Sequence, residues 1–363
     1  MTSIFVFISG AALLIYSAEK LIGYLVGVAS GLRISIFLLA IVFTGIEFDD
    51  ITLGVALNLE DLGNVALGIV FGTAIAFTGI VLALAAILTP VTVRIPRDYL
   101  IIFAAAPLVM VVFTLIAPLT TVDGIVLLGL FGLFLTYVAV RECSGNVPVF
   151  RDAEMYETYA LARATRAETA VSESRRATGV AEPAATGPGG EGTQEFSADM
   201  PFARARERSG WTGLGLAVLA LAGLLIGGAT TGIGTEGILH AYGLEGTVFG
   251  ATIATLVLTI EDVFLTVEPT RKGAPEVGVG NVIGSLVFSV TGKLGVTLLA
   301  GGIVVGPDVL TWHLPALIVL TGLAAYFLST GRLRRWHGFT LLGLYVVYWA
   351  VTFVVFGVAP VDL

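Results

Sequence analysis

Long uncharged apolar runs follow one another along nearly the whole chain, and they leave it few ways to fold. A helix of roughly 17–25 such residues is long enough to cross a bilayer. Ten spans are expected, at 3–28, 34–57, 64–89, 98–118, 122–140, 211–231, 246–268, 276–300, 311–330 and 338–358. The runs are continuous rather than alternating, which excludes a membrane β-barrel. Only 13% of the 363 residues are charged, about half of what a soluble domain uses to cover its surface. The chain therefore reads as an all-α membrane protein seated in the lipid bilayer. A net charge of −8 argues against nucleic acid as a partner. A single cysteine, Cys143, excludes an internal disulfide. Residues 1–18 hold no Lys or Arg, so the first run reads as a retained span rather than a secretory signal.

The basic residues give the topology. Of the 19 Lys and Arg, all but Lys20 and Lys293 lie in alternate connections. These are Arg33, Arg94 and Arg97, the nine Arg from Arg141 to Arg208, Arg271 and Lys272, and Arg332, Arg334 and Arg335. The positive-inside rule makes those connections cytoplasmic and puts both termini outside. The longest connection, 141–210, divides the chain into halves 1–140 and 211–363 with five spans each. An odd number per half turns the second half upside down relative to the first. The expected fold is thus ten transmembrane helices in two inverted-topology five-helix repeats. Connection 141–210 mixes 9 Arg with 11 Asp and Glu and is rich in Pro, Gly, Ala and Thr near Glu182–Gly192. That composition suits a charged, flexible cytoplasmic tether.

The two halves align without gaps at a constant offset of 212 from Gly31 to Thr73. Shared Gly, Leu and Val inflate any such comparison, so the weight falls on rarer features. Asp50 falls on Asp262, and GIVFGT (68–73) falls on GNVIGS (280–285). Acids are expensive inside a membrane, at about 2.5–3.5 kcal/mol each on insertion scales. Span two nonetheless holds Glu47, Asp49 and Asp50, and span seven holds Glu261 and Asp262. Carboxylates lining a cavity bind hard cations such as Ca²⁺, which take oxygen ligands. Glu47 and Asp50 are three apart, as are Thr259 and Asp262, so each pair is expected on one helix face. Thr73, Ser285 and Ser289 offer hydroxyl oxygens nearby, and Asn281 a carboxamide oxygen. The competing reading is that these hydroxyls bond their own helices. The acids have a competing reading too: an interfacial position, or pairing with Lys20 or Lys293. The spacings Gly68–Gly72 and Gly280–Gly284 suit close helix packing and would let a backbone approach the acids. Lys293 stays open between neutralising a carboxylate, filling a cation subsite and snorkelling to an interface.

These residues resemble the cation/calcium exchanger superfamily, which includes sodium/calcium and calcium/proton exchangers. GNVIGSLVFS (280–289) is similar to its second α-repeat motif, and YSAEKLIGYLVGVASGLRIS (16–35) to its first span and turn. The resemblance implies two central ion-binding carboxylates eighteen residues before Gly68 and Gly280, which are Asp50 and Asp262. It likewise implies ion-coordinating roles for Thr73, Ser285 and Ser289. The sequence departs from the family pattern in several places. Asp replaces both glutamates, Asp49 and Glu261 replace the preceding prolines, Phe77 stands where a polar ligand is expected, and Leu286 replaces an asparagine. A gapped alignment would instead put Glu47 opposite Asp262.

The expected function is a secondary antiporter that exchanges Ca²⁺, or another divalent cation, for Na⁺ or H⁺. The cation set is Asp50, Asp262, Glu47, Asp49, Glu261, Thr73, Ser285 and Ser289. No cofactor is implied beyond the transported ions, and a gate formed by spans one and six is implied by the resemblance. The alternatives are a cation channel, or a degenerate relative that senses ions without transporting them. An intramembrane aspartyl enzyme would need YD and GxGD motifs, which the chain lacks. It also lacks the GxxxxGK[ST] of an ATP-driven pump.

Overall fold

A computed structural model describes residues 2–31, 47–93, 95–116, 118–144, 211–271 and 275–357. The expected tether lies outside these from 145 to 210, as does the first part of span two. The described chain is mostly helical. Helix α1 is Thr2–Gly31, α2 is Phe48–Leu59, α3 is Gly63–Ala76 and α4 is Leu82–Leu88, with a π-helical segment at Phe77–Val81 between the last two. After strand β1 (Val91–Thr92) come α5 (Arg97–Ile116) and α6 (Thr121–Ser144). The second half opens with α7 (Trp211–Tyr242), then α8 (Gly246–Phe249) and α9 (Thr255–Arg271) joined by a π segment at Gly250–Ala254. Next come α10 (Pro275–Phe288) and α11 (Leu294–Ala300), joined by a π segment at Ser289–Lys293. A π segment at Val309–His313 leads into α12 (Leu314–Ser329), and β2 (Arg332–Leu333) precedes α13 (Arg335–Phe356).

Seven helices among the described residues are long and apolar enough to cross a membrane. Two of them form the centre. In an apolar 18-residue stretch of each, the rods Gly63–Leu88 and Gly278–Ala300 have 94% and 89% of residues buried, against 22% for Thr121–Arg141 and Arg335–Phe356. The outer helices turn apolar side chains outward, as Ile101, Leu108, Val112 and Leu115 of α5 do. That is the arrangement a hydrocarbon solvent allows and water does not. Helix α7 runs eleven residues past the expected end at 231.

The offset of 212 reappears in the three-dimensional elements. Adding it to the bounds of α3, the first π segment and α4 gives the bounds of α10, the third π segment and α11, residue for residue. A π turn widens the helix by one residue and resets the side chains after it. Both central rods are reset at the same place.

Two short backbone pairings tie the connections together. Val91 pairs with Leu333 and Thr92 with Arg332, which joins the Arg94–Arg97 connection to the Arg332–Arg335 one. Leu119 and Ile303 exchange hydrogen bonds of 2.9 and 3.0 Å, joining two connections without basic residues. The 20 residues of α5 separate the two pairings by about 30 Å. These two basic connections therefore lie at one end and these two non-basic ones at the other.

Glycines set the closest helix contacts. Helices α1 and α7 lie antiparallel, with Gly223 on Ser17, Gly227 on Leu14, Gly234 on Phe7 and Gly237 on Ser3. In the core, Gly68 and Gly72 bring α3 against Thr247 and Ala251. They thus serve contact between the halves rather than an approach to the acids.

Candidate cation site

Of the span expected over 34–57, the described part starts at Glu47. Its backbone is extended (φ −84°, ψ 93°), and it stands as the N-cap of α2, which starts at Phe48. The three acids of FDD and its neighbour therefore sit at a helix start. Unpaired N–H groups give that end partial positive charge, which favours Asp49 and Asp50 in the first turn. The second half differs here, because α9 runs through Glu261 and Asp262 without a break.

Asp50 is 3% exposed, and its carboxylate accepts a hydrogen bond from the Lys293 ammonium in a direct ion pair. The same Nζ lies 2.8 Å from Glu47 Oε2 and donates to Thr73 Oγ1 at 2.9 Å. Thr73 donates to the Ile69 carbonyl at 2.9 Å, and its Oγ1 is 3.3 Å from Ser289 Oγ. Thr73 lies near the middle of its 26-residue rod, so the group is deep. Ser289 and Lys293 open and close the π segment of the other central rod. The reset helix aims both at Thr73.

Four of the eight expected residues thus converge: Asp50, Glu47, Thr73 and Ser289. Ser285 is buried one turn before Ser289. Asp49 is half-buried beside Asp50, and Asp262 is half-buried on α9. Asp50 and Asp262 correspond in the repeat yet differ in burial. The side chain of Glu261 lies outside the described ones. Among the described residues, no three Asp, Glu, His or Cys converge as a group ready for a metal ion. What converges is two carboxylates around an ammonium.

Other polar side chains have local partners. Thr259 donates to its own helix, to the Thr255 carbonyl at 2.7 Å. Asn281 Nδ2 donates to Thr266 Oγ1 at 3.2 Å, so its amide fastens α10 to α9. Lys293 does not snorkel. With 1% exposure it is turned inward. It is the central residue that the sequence left undecided. Two signals pointed to it: it is the sole charge between Glu276 and Asp308, and the 212 offset sets it against Val81.

Comparisons with known proteins agree with this architecture. The family described as sodium/calcium exchanger protein matches residues 2–140 and 212–354. Sodium/calcium exchanger MaX1 of Methanosarcina acetivorans is 30% identical over 112 residues, 31% of this chain and 32% of that protein. An uncharacterized membrane protein of Methanocaldococcus jannaschii is 24% identical over 139 residues, 36% of this chain and 42% of that one. The chain thus spans less than half the length of these two curated relatives in the matched stretches. The sodium-calcium exchanger NCX_Mj, soaked with 100 mM Na⁺ and 10 mM Sr²⁺, superimposes with a TM-score of 0.54 at 19% identity, covering 96% of this chain and 97% of that one. The same exchanger soaked with 2.5 mM Na⁺ and 0.1 mM Ca²⁺ gives 0.53 at 19% identity, with 96% and 98% covered. At that identity the likeness speaks for the fold.

Proposed function

The chain belongs to the sodium/calcium exchanger family of membrane cation transporters, and from that premise we propose that it is a secondary active antiporter. It exchanges Ca²⁺, or another divalent cation, for Na⁺ or H⁺ across the cytoplasmic membrane by alternating access. The observation that carries the reading is the buried oxygen group of Asp50, Glu47, Thr73 and Ser289 between the two central rods. Buried carboxylates and hydroxyls with that convergence are a donor set for a hard cation. Asp49, Asp262, Glu261 and Ser285 complete the proposed set. Lys293 neutralises one carboxylate of the group, so a divalent cargo draws on these further acids for its charge.

The proposed frame is ten spans in two inverted five-helix halves, 1–140 and 211–363, joined by a cytoplasmic connection 141–210, with both termini outside. The recurrence of three elements at the 212 offset supports it. So does the placing of two basic connections at one end and two non-basic ones at the other. The proposed gate is the α1–α7 pair, whose helices meet closely at glycines of α7.

The test is ⁴⁵Ca²⁺ uptake into liposomes driven by an outward Na⁺ gradient and then by an outward H⁺ gradient. Uptake under one gradient that Asp50→Asn abolishes is the expected result. No ⁴⁵Ca²⁺ uptake under either gradient removes Ca²⁺ as the cargo, and the same assay with other divalent cations then decides the antiporter. The buried Lys293 favours one second reading, an ion-sensing relative that does not transport. It would bind cations without counterflow.

A further inference from the structure

The two central rods carry the same elements but differ in charge at one equivalent place. Val81 closes the first π segment and Lys293 closes the corresponding one 212 residues on. Both side chains are buried, so the second rod has placed an ammonium where the first has a hydrocarbon.

An ammonium has three N–H donors and no acceptor. Lys293 Nζ has three oxygen partners: Asp50, Glu47 Oε2 at 2.8 Å and Thr73 Oγ1 at 2.9 Å. Nζ donates to Asp50 and Thr73 and meets Glu47 as an ion pair, so these contacts all fall within the candidate cation site. The partners are two carboxylates and a hydroxyl, the oxygen ligands that a small hard cation takes. A salt bridge that merely pinned two helices would need one carboxylate. Here the charge sits among three of the four converging residues, at the start of α2 and on α3. In sequence, Asp49 and Glu261 add acids beside Asp50 and Asp262, as a site that carries a positive charge of its own requires.

We infer that Lys293 is a tethered cation: its ammonium occupies one monovalent subsite, between Asp50, Glu47 and Thr73, and lowers by one the number of free monovalent cations the chain binds. The inference rests on reading this group as a cation site. It adds that the chain exchanges fewer ions per cycle than the same site with a neutral residue at 293.

The experiment is equilibrium binding of ²²Na⁺ to the purified full-length protein in lipid nanodiscs. Wild type, Lys293→Met and Lys293→Met/Asp50→Asn are compared. Lys293→Met is expected to bind one Na⁺ per chain more than wild type, and the double variant to lose that extra ion. Equal counts in wild type and Lys293→Met overturn the inference. Lys293→Met is also purified in NaCl and, in parallel, in choline chloride. If it stays folded in NaCl alone, the ion has replaced the ammonium. If it is lost in both, Lys293 is structural and the inference fails. Transport is read separately in liposomes. An extra Na⁺ in Lys293→Met with no wild-type flux removes the antiporter and keeps the tethered cation. Wild-type flux with equal counts does the reverse.

Discussion

The Lys293 ammonium and the Asp50 carboxylate, 243 residues apart in the chain, form a direct ion pair in the interior, and Glu47 Oε2 reaches the same nitrogen at 2.8 Å. The pair joins the second central rod to the start of α2. Removing one member of a buried pair leaves an uncompensated charge and costs about 3–5 kcal/mol, whereas removing both is far milder. Asp50→Asn and Lys293→Met should each lower Tm sharply in Na⁺-free medium. The double variant should lie well above the sum of the two losses. Thermal unfolding of the four proteins, read side by side, decides it, and additive losses would show that the pair is not coupled.

Glu60 gives a pH prediction outside the membrane spans. It follows α2 and faces Glu236 of α7. Burial, and then the Glu236 charge, hold its carboxyl above the usual range. A carboxyl that keeps its proton more firmly folded than unfolded contributes stability at low pH. That stability is lost as pH rises from the unfolded pKa through the folded one. Glu60→Gln should therefore raise Tm at neutral pH and flatten the fall in Tm between acid and neutral pH. An unchanged pH profile would contradict this.

The glycine contacts predict a contrast. A Cβ on Gly68 would collide with the Thr247 carbonyl, and one on Gly72 would stand 2.6 Å from Ala251 Cα. Backbone cannot retreat as a side chain can, so Gly68→Ala and Gly72→Ala should each destabilise by about 1–3 kcal/mol. Gly129 and Gly132 have nothing within 4 Å. Alanine there should be neutral or slightly stabilising, by up to about 1 kcal/mol. Equal effects at all four positions would sink the packing argument.

Asn58 holds α2 to the end of α11. Its Nδ2 donates to the Thr297 carbonyl at 2.8 Å and to the Gly301 carbonyl at 2.9 Å. Both are orphan acceptors at a helix C-terminus. Asn58→Leu should cost about 1–3 kcal/mol by leaving them unpaired. It should also weaken cation binding, because α2 carries Asp50. Binding at wild-type strength in a destabilised Asn58→Leu protein would separate the anchor from the site.

Much of this was legible in the sequence for local reasons. The length of an apolar run is set by the bilayer, so the helices at 64–89, 98–118, 122–140 and 276–300 fall within a few residues of expectation. The acids betrayed a site because a carboxylate in hydrocarbon needs a partner. The offset of 212 was visible in Asp50, Asp262 and the paired glycines, and the structure extends it through both π segments. The extended backbone of Glu47, which caps α2, was not legible. FDD reads equally well as mid-helix or helix start. Nor did equivalence in the repeat foretell that Asp50 is buried while Asp262 is half-buried.

The sequence by itself determined the solvent, the helical class, the alternation of basic connections and the existence of an acid-lined interior. Each follows from residues near one another in the chain, through run length, charge and spacing. Only the tertiary structure decided which way Lys293 points. A lysine stem is long enough to snorkel or to turn inward, and its own neighbours in sequence permit both. The choice was made by Asp50, Glu47 and Thr73, brought from the other half of the chain to meet its ammonium.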